Sequence, residues 1–209
     1  MLHIKNFRKE YAGHLAISVP DLQFEEGIYW IKGANGSGKS TLFKSIAGLQ
    51  PYEGEIILND EINQRQSPIV YRKLVNYTEA EPIYPNYLSG VDLISFVAEA
   101  KNAPKDQVQE LIQILDIESF VKNQTGSYSS GMLKKLSLVL GFLGNPKLVI
   151  LDEPLITLDT TATAKIGQLI LKYHEKGVGF LLSSHQSKEI DELPIKAQYL
   201  VENQSIHKI

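Results

Sequence analysis

The sequence contains no cysteine, which excludes a disulfide framework, a thiolate metal site and a cysteine nucleophile. It has no excess of either charge. With 21 Lys+Arg against 24 Asp+Glu the formal net charge is −3, so bulk attraction gives no reason to expect a nucleic-acid partner. It has no long apolar run: the longest, residues 136–144, is interrupted by Ser137 and falls far short of the ~20 residues a membrane span needs. The opening stretch MLHIKNFRKEYAGH lacks an apolar h-region, so no signal peptide is expected. No internal repeat, low-complexity tract or long linker is visible. What is present is ordinary globular material, 43% hydrophobic and 22% charged, which excludes a disordered or fibrous chain. Its 209 residues suffice for one large domain or two small ones. These features predict a soluble intracellular domain that reaches a membrane only through a partner.

The hydrophobic pattern changes character along the chain. Short apolar runs bounded by Gly, Pro and charge predict strands at 2–7, 15–19, 28–31 and 55–58. A helix is expected from Ser40 to Leu49, with Gly48 near its end and Pro51 just beyond. Apolar residues at helical spacing then predict helices at 91–100, 107–115 and 132–143. The last third alternates again: strand 148–151, helix 161–174, strand 178–182 and a hairpin at 199–209. Strands alternating with helices predict an α/β core with a parallel sheet. In this reading residues 88–145 form an inserted helical subdomain between the core segments 1–87 and 146–209.

Two segments carry chemistry. Gly33-Ala34-Asn35-Gly36-Ser37-Gly38-Lys39-Ser40 satisfies G-x-x-x-x-G-K-[ST], with a strand before it and a helix after it. Its glycines allow backbone N–H groups to turn inward and cradle phosphate oxygens, and the following helix aims its positive dipole end at the same anion. Lys39 is expected to reach the β- and γ-phosphates, with the Ser40 hydroxyl as a Mg²⁺ ligand. The second segment, Leu148-Val149-Ile150-Leu151-Asp152-Glu153, is a buried strand ending in paired carboxylates, where α/β sheets bind ligands. Asp152 can hold Mg²⁺, and Glu153 can act as general base toward the attacking water. Alone, such acids are equally a turn or a helix cap; the phosphate loop upstream favours the functional reading.

The order of these motifs resembles the nucleotide-binding domain of ABC-type ATPases over nearly the whole chain. Tyr128-Ser129-Ser130-Gly131-Met132 stands where that family has its LSGGQ signature, in the YSxGM form familiar from exporter-type members. The resemblance implies a P-loop NTPase core with a mainly parallel sheet, an N-terminal antiparallel β region and an inserted helical subdomain. It implies ATP with Mg²⁺, contacted by Gly33 through Thr41, and Ser129 and Gly131 reaching the γ-phosphate held by a second protomer. It also implies that Tyr11 stacks on adenine, that Asp159 in Thr157-Leu158-Asp159 reaches across the dimer, and that His185 contacts the γ-phosphate. The partners it implies are a second nucleotide-binding domain, identical or different, and a separately encoded transmembrane permease that places the chain on the inner face of the cell membrane. The loop 82–88 would meet a short helix of that permease, although its two tyrosines could equally fold back on the core.

Two positions depart from the family pattern. Ala80 stands where a Gln ordinarily helps to ligate Mg²⁺, leaving Glu79 or Glu81 to substitute, and Leu155 replaces a common Thr. Two other functions compete. A soluble ABC-type ATPase in DNA repair would carry a long coiled coil between Lys39 and Ser129, but the 90 positions separating them hold no sustained heptads. Ribosome-associated members carry two such domains per chain, and cofactor assembly stays open. A kinase with the same phosphate loop leaves the Ser129 and His185 elements unexplained.

Overall fold

A computed structural model describes residues 1–184 and 192–209. The chain runs through β1 (Leu2–Tyr11), β2 (His14–Phe24), β3 (Ile28–Lys32), α1 (Lys39–Ile46), β4 (Glu53–Leu58), β5 (Ile62–Asn63), α2 (Pro68–Leu74) and β6 (Val75–Thr78). It continues through α3 (Gly90–Lys101), α4 (Lys105–Ile114), α5 (Ser130–Phe142), β7 (Leu148–Leu151), α6 (Thr160–His174), β8 (Gly179–Ser183), β9 (Ile195–Glu202) and β10 (Ser205–Lys208). A 3-10 turn at Thr125–Ser127 precedes α5.

Two sheets divide the strands. The first is antiparallel in the order β2-β1-β4-β5, and Pro20 sits on its edge strand, where a missing N–H costs no ladder bond. The second is ordered β10-β9-β3-β8-β7-β6, parallel from β9 to β6, with the β9–β10 hairpin closing one edge. Residues of its central strands alternate between two cores, as period-2 geometry requires. Ile28, Trp30, Val149, Leu151, Phe180 and Leu182 face a cluster built with α3–α6. Tyr29, Ile31, Leu148, Ile150 and Leu181 face another built with α1, α2 and the antiparallel sheet. A sheet buried on both faces explains why these strands read as unbroken apolar runs.

Most expected elements occur, with three informative differences. Strand β1 extends four residues past its apolar run, because the Ala12–Gly13 turn (φ 48° and 81°) pairs Tyr11 with His14 and carries charged Arg8, Lys9 and Glu10 into the ladder, and β2 extends five because its residues 21–24 pair with Leu2 to Lys5. Helix α1 stops at Ile46, since Gly48 turns left-handed (φ 74°) and the Leu49 N–H returns to the Lys44 carbonyl at 2.9 Å. Helix α2 has no counterpart in the apolar pattern: of its apolar side chains only Tyr71 is buried, while Ile69 and Val70 are exposed.

Polar side chains lock the end of α5 to the sheet and to α4. Asn76 Nδ2 donates to the carbonyls of Gly141 and Leu143, both at 2.9 Å, and Gln107 Nε2 donates to Gly144 O at 2.8 Å. These bonds serve carbonyls at and just beyond the C-terminus of α5 that no helical N–H can reach.

Candidate active site

The phosphate loop joins β3 to α1. Gly33 has φ 152°, and a Cβ on it would stand 2.5 Å from Val201 O and 2.6 Å from Ser37 Oγ, so no other residue fits. The Ser37 N–H closes the loop on Ala34 O at 3.1 Å, and Gly38 (φ 109°) starts α1 without any side-chain cap. Lys39 is buried, and its ammonium donates to Gly33 O at 2.7 Å and Ala34 O at 3.1 Å, curling back across the loop. The turn is thus a concavity of backbone N–H groups with a cation folded over it.

The paired carboxylates end β7, two strands away from β3. Asp152 is 2% exposed; its Oδ1 accepts from Ser183 Oγ at 2.6 Å, and the Tyr77 hydroxyl lies 3.4 Å from Oδ2. Burial and the neighbouring Asp152 and Glu79 carboxylates push the Tyr77 hydroxyl upward, which keeps it a donor. Glu153 is also buried and holds a left-handed backbone (φ 47°), a conformation costing roughly 1 kcal/mol in a residue with a Cβ. The Glu153 N–H donates to the same Ser183 hydroxyl at 2.9 Å. One serine on β8 therefore orients both acids.

A cavity of about 850 Å³ unites the loop with the carboxylates. Asn35, Gly36, Ser37, Gly38, Lys39, Ser40 and Thr41 line one side, Asp152 and Glu153 another, and Tyr11 stands at the rim. Gly33 and Ala34 lie behind the lining, where they receive Lys39. Tyr11 is 48% exposed, with its hydroxyl donating to Gln50 Oε1 at 2.7 Å and the Lys9 ammonium 4.7 Å from its ring centre. Ala80 and Glu81 also border the cavity, whereas Glu79 turns away to pair with Lys44 at 3.5 Å. Of the two candidate substitutes for the missing Gln, Glu81 is the one that faces the cavity. Ser40 and Asp152 offer it hard oxygen donors, and among the described residues no cluster of three His, Asp or Glu makes a separate metal cage. That donor set suits a Mg²⁺ shared with phosphate oxygens and water.

Other expected site residues lie elsewhere. Ser129 and Gly131 do not line this cavity; the Ser129 hydroxyl caps α5 by accepting from Met132 N at 3.3 Å, and a Cβ on Gly131 would stand 3.1 Å from Thr157 O. Asp159 caps α6, accepting from Ala162 N at 2.8 Å, a bond that holds its carboxyl below the usual range. The signature turn and Thr157-Leu158-Asp159 are therefore neighbours on a surface away from the chain's own cavity. His185 lies outside the described residues. The sequence reading missed Ser183 and Tyr77 as orienting groups, and Leu15, Ala16, Ile156, Asn203 and Gln204 as lining residues. Asn203 and Gln204 form the β9–β10 turn, and only the sheet order reveals that this turn faces the phosphate loop.

A second cavity, about 600 Å³, opens among the end of α1, α2, the 79–84 segment and α3. Its walls include Leu49, Ile69, Pro82, Ile83, Tyr84 and Phe96. Ile83 is 88% exposed, Ile69 75% and Phe96 73%, an apolar patch of the kind that marks interaction sites. The two tyrosines of the neighbouring loop divide. Tyr84 folds back against the core built with α3–α6, and burial pushes its hydroxyl up to about 12, while Tyr87 points outward at 74% exposure. Lys101, also in this wall, donates to the Arg72 carbonyl and to Val75 O at 3.0 Å, and burial pushes it down to about 8.

Comparison with known proteins gives a consistent picture. The profile of the ABC transporter family matches residues 20–156. The lantibiotic transport ATP-binding protein SrtF of Streptococcus pyogenes is 28% identical over 195 residues, 92% of this chain and 83% of that protein. The bacitracin transport ATP-binding protein BcrA of Enterococcus faecalis is 26% identical over 197 residues, 92% of this chain and 64% of that one. A solved ATP-binding subunit of an ABC transporter superposes with a TM-score of 0.88 at 25% identity, covering 100% of this chain and 89% of that structure.

Proposed function

The chain belongs to the ABC transporter family, and from that premise we propose that it is an ATP-hydrolysing, energy-coupling subunit of exporter type whose membrane-spanning part is a separate permease. The observation that carries this reading is the cavity in which Asn35 to Thr41 face Asp152 and Glu153. ATP fits it chemically. Backbone N–H groups of the loop and the uncapped start of α1 receive phosphate oxygens, and Lys39 exchanges the Gly33 and Ala34 carbonyls for the β- and γ-phosphates. Tyr11 at the rim offers a ring face to the base. Ser40 and Asp152 are the residues that would hold Mg²⁺, which neutralises charge on the phosphates when bound. Glu153 accepts a proton from water as its oxygen attacks the γ-phosphorus and the bond to ADP breaks. Ser183 and Tyr77 keep the acids aligned for that task.

The position of Ser129, Gly131 and Asp159 outside this cavity supports a composite site. Two nucleotide-binding domains, this chain with a copy or with a relative, would close head to tail, each signature turn on the other's γ-phosphate. His185 belongs to the same set by its place after β8. The apolar groove at Ile69, Ile83 and Phe96 is where we place the permease contact, which would hold the chain at the inner membrane face. No helix among the described residues is long and apolar enough to cross a membrane.

Two variants test the catalytic reading. Glu153→Gln is expected to bind ATP normally and to lose hydrolysis by about 10²-fold or more, the range of general-base contributions. Lys39→Ala is expected to weaken ATP binding itself. Hydrolysis by Glu153→Gln at near the wild-type rate would remove Glu153 from the mechanism.

A further inference from the structure

Lys134 is 1% exposed, on α5, five residues after the signature serine. A lysine is almost never fully buried without partners, and here burial pushes its ammonium down to about 8, against the opposing pull of Asp152, Glu153 and Glu81. Its partners are three backbone carbonyls: Ala80 O at 2.8 Å, Glu79 O at 2.9 Å and Asp152 O at 3.3 Å. An ammonium has three N–H donors, and these contacts use all of them. The three carbonyls belong to two separate segments, the turn after β6 that borders the nucleotide cavity and the end of β7 that carries the catalytic acids. The Nζ atom is thus the junction of α5, that turn and the carboxylate pair.

Met132-Leu133-Lys134-Lys135-Leu136 puts a charge where α5 turns its face toward the sheet, and Leu136, Leu138 and Val139 just beyond are fully buried. A leucine or methionine there would fill space, but it would leave the Ala80 and Asp152 carbonyls without this shared donor. The other end of the same helix segment is Ser129, whose hydroxyl caps α5 and is the group proposed to meet a phosphate. Five residues of helix span about 7.5 Å, short enough to move as one rigid body.

We propose that Lys134 is a positioning residue that ties the catalytic carboxylates and the Glu79–Ala80 turn to the signature helix. Engagement of Ser129 by a phosphate then fixes the alignment of Asp152 and Glu153 in the same chain. The link rests on the composite-site reading, under which that phosphate belongs to the partner's ATP, so Lys134 carries the state of one nucleotide to the hydrolytic acids of the other site.

The test is a double-mutant cycle on the full chain, with ATP turnover and ATP affinity measured for wild type, Ser129→Ala, Lys134→Met, Lys134→Gln and the Ser129→Ala/Lys134→Met pair. Lys134→Met is expected to lower kcat by about tenfold while ATP affinity stays within about twofold, and Lys134→Gln, with two N–H donors, is expected to recover most of the loss. A merely structural lysine would not split turnover from affinity. The paired variant is expected to be no slower than the slower single within about twofold, because both lesions cut one link. Losses that multiply, a kcat for Lys134→Met within about twofold of wild type, or equal loss of affinity and turnover would each overturn the proposal. If Lys134→Met does not fold, Lys134→Ala, which removes the donors with a smaller side chain, carries the same cycle with the same non-additive loss expected. Slow turnover in Ser129→Ala combined with additive losses would sink the Lys134 link while leaving the composite site standing. Unchanged turnover in Ser129→Ala would overturn the composite site and the link together.

Discussion

The nucleotide cavity and the apolar groove lie on either side of the 79–84 segment, and they are built on opposite principles. The cavity is made of backbone and buried charge: glycines at special φ, a folded-back Lys39, and a serine hydroxyl that holds the Asp152 carboxylate and the Glu153 backbone N–H. The groove is rimmed by exposed apolar side chains, with Ile69, Ile83 and Phe96 open to water. A geometry that must stabilise developing charge needs preorganised dipoles. A surface that binds a partner needs apolar area that water leaves readily. The shared segment turns Ala80 and Glu81 to the first and Pro82 and Ile83 to the second.

If the two regions are chemically separate, substitutions should separate them. The largest effect belongs to the cavity: Asp152→Asn or Glu153→Gln should lower ATP hydrolysis by about 10²-fold or more, measured as phosphate release. Next comes the groove, where, on the proposed permease contact, Ile83→Glu or Phe96→Glu should abolish co-purification with that permease while ATP binding is retained. Loss of ATP binding in those variants would mean that the regions are one. A smaller effect contrasts groove with core. Phe142→Ala, which removes a fully buried ring packed 5.0 Å from Tyr173, should cost about 3–5 kcal/mol in denaturant unfolding. Ile83→Ala should change stability by less than about 0.5 kcal/mol, since its side chain has little burial to lose.

The smallest effect is a pH slope. Lys101 is held near 8 in the folded chain, below its ordinary 10.5, so the unfolded chain binds more protons between those values. Stability should therefore rise with pH from about 8 toward 10, and Lys101→Met should flatten that rise in urea midpoints taken across the range. An unchanged slope would show that Lys101 is solvated at the groove wall.

The same contrast explains what the sequence discloses. Gly33 to Ser40 and Leu148 to Glu153 are legible because each is contiguous and its chemistry follows from neighbours along the chain. The sheet is legible for the same reason: strands buried on both faces read as apolar runs. The groove is assembled from α1, α2, the 79–84 segment and α3, none of which announces a partner alone. Helix α2 escapes because it buries Tyr71 while Ile69 and Val70 face outward, and Asn203 and Gln204 because only sheet order brings their turn to the phosphate loop. Tyr84 and Tyr87 show the limit at single residues, since one loop sends its two rings in opposite directions.

The central claim is that the cavity is half of a site, completed by Ser129 of a second protomer. It is tested most directly by mixing two inactive variants, Lys39→Ala and Ser129→Arg, and measuring ATP hydrolysis. In a mixed dimer one site carries both lesions and the other carries neither, so random mixing leaves about a quarter of all sites intact. The account predicts that hydrolysis returns on mixing, toward about a quarter of the wild-type rate at equal proportions. For a dimer of identical chains, no recovery at any ratio, with none in a tandem-linked mixed dimer either, would contradict it.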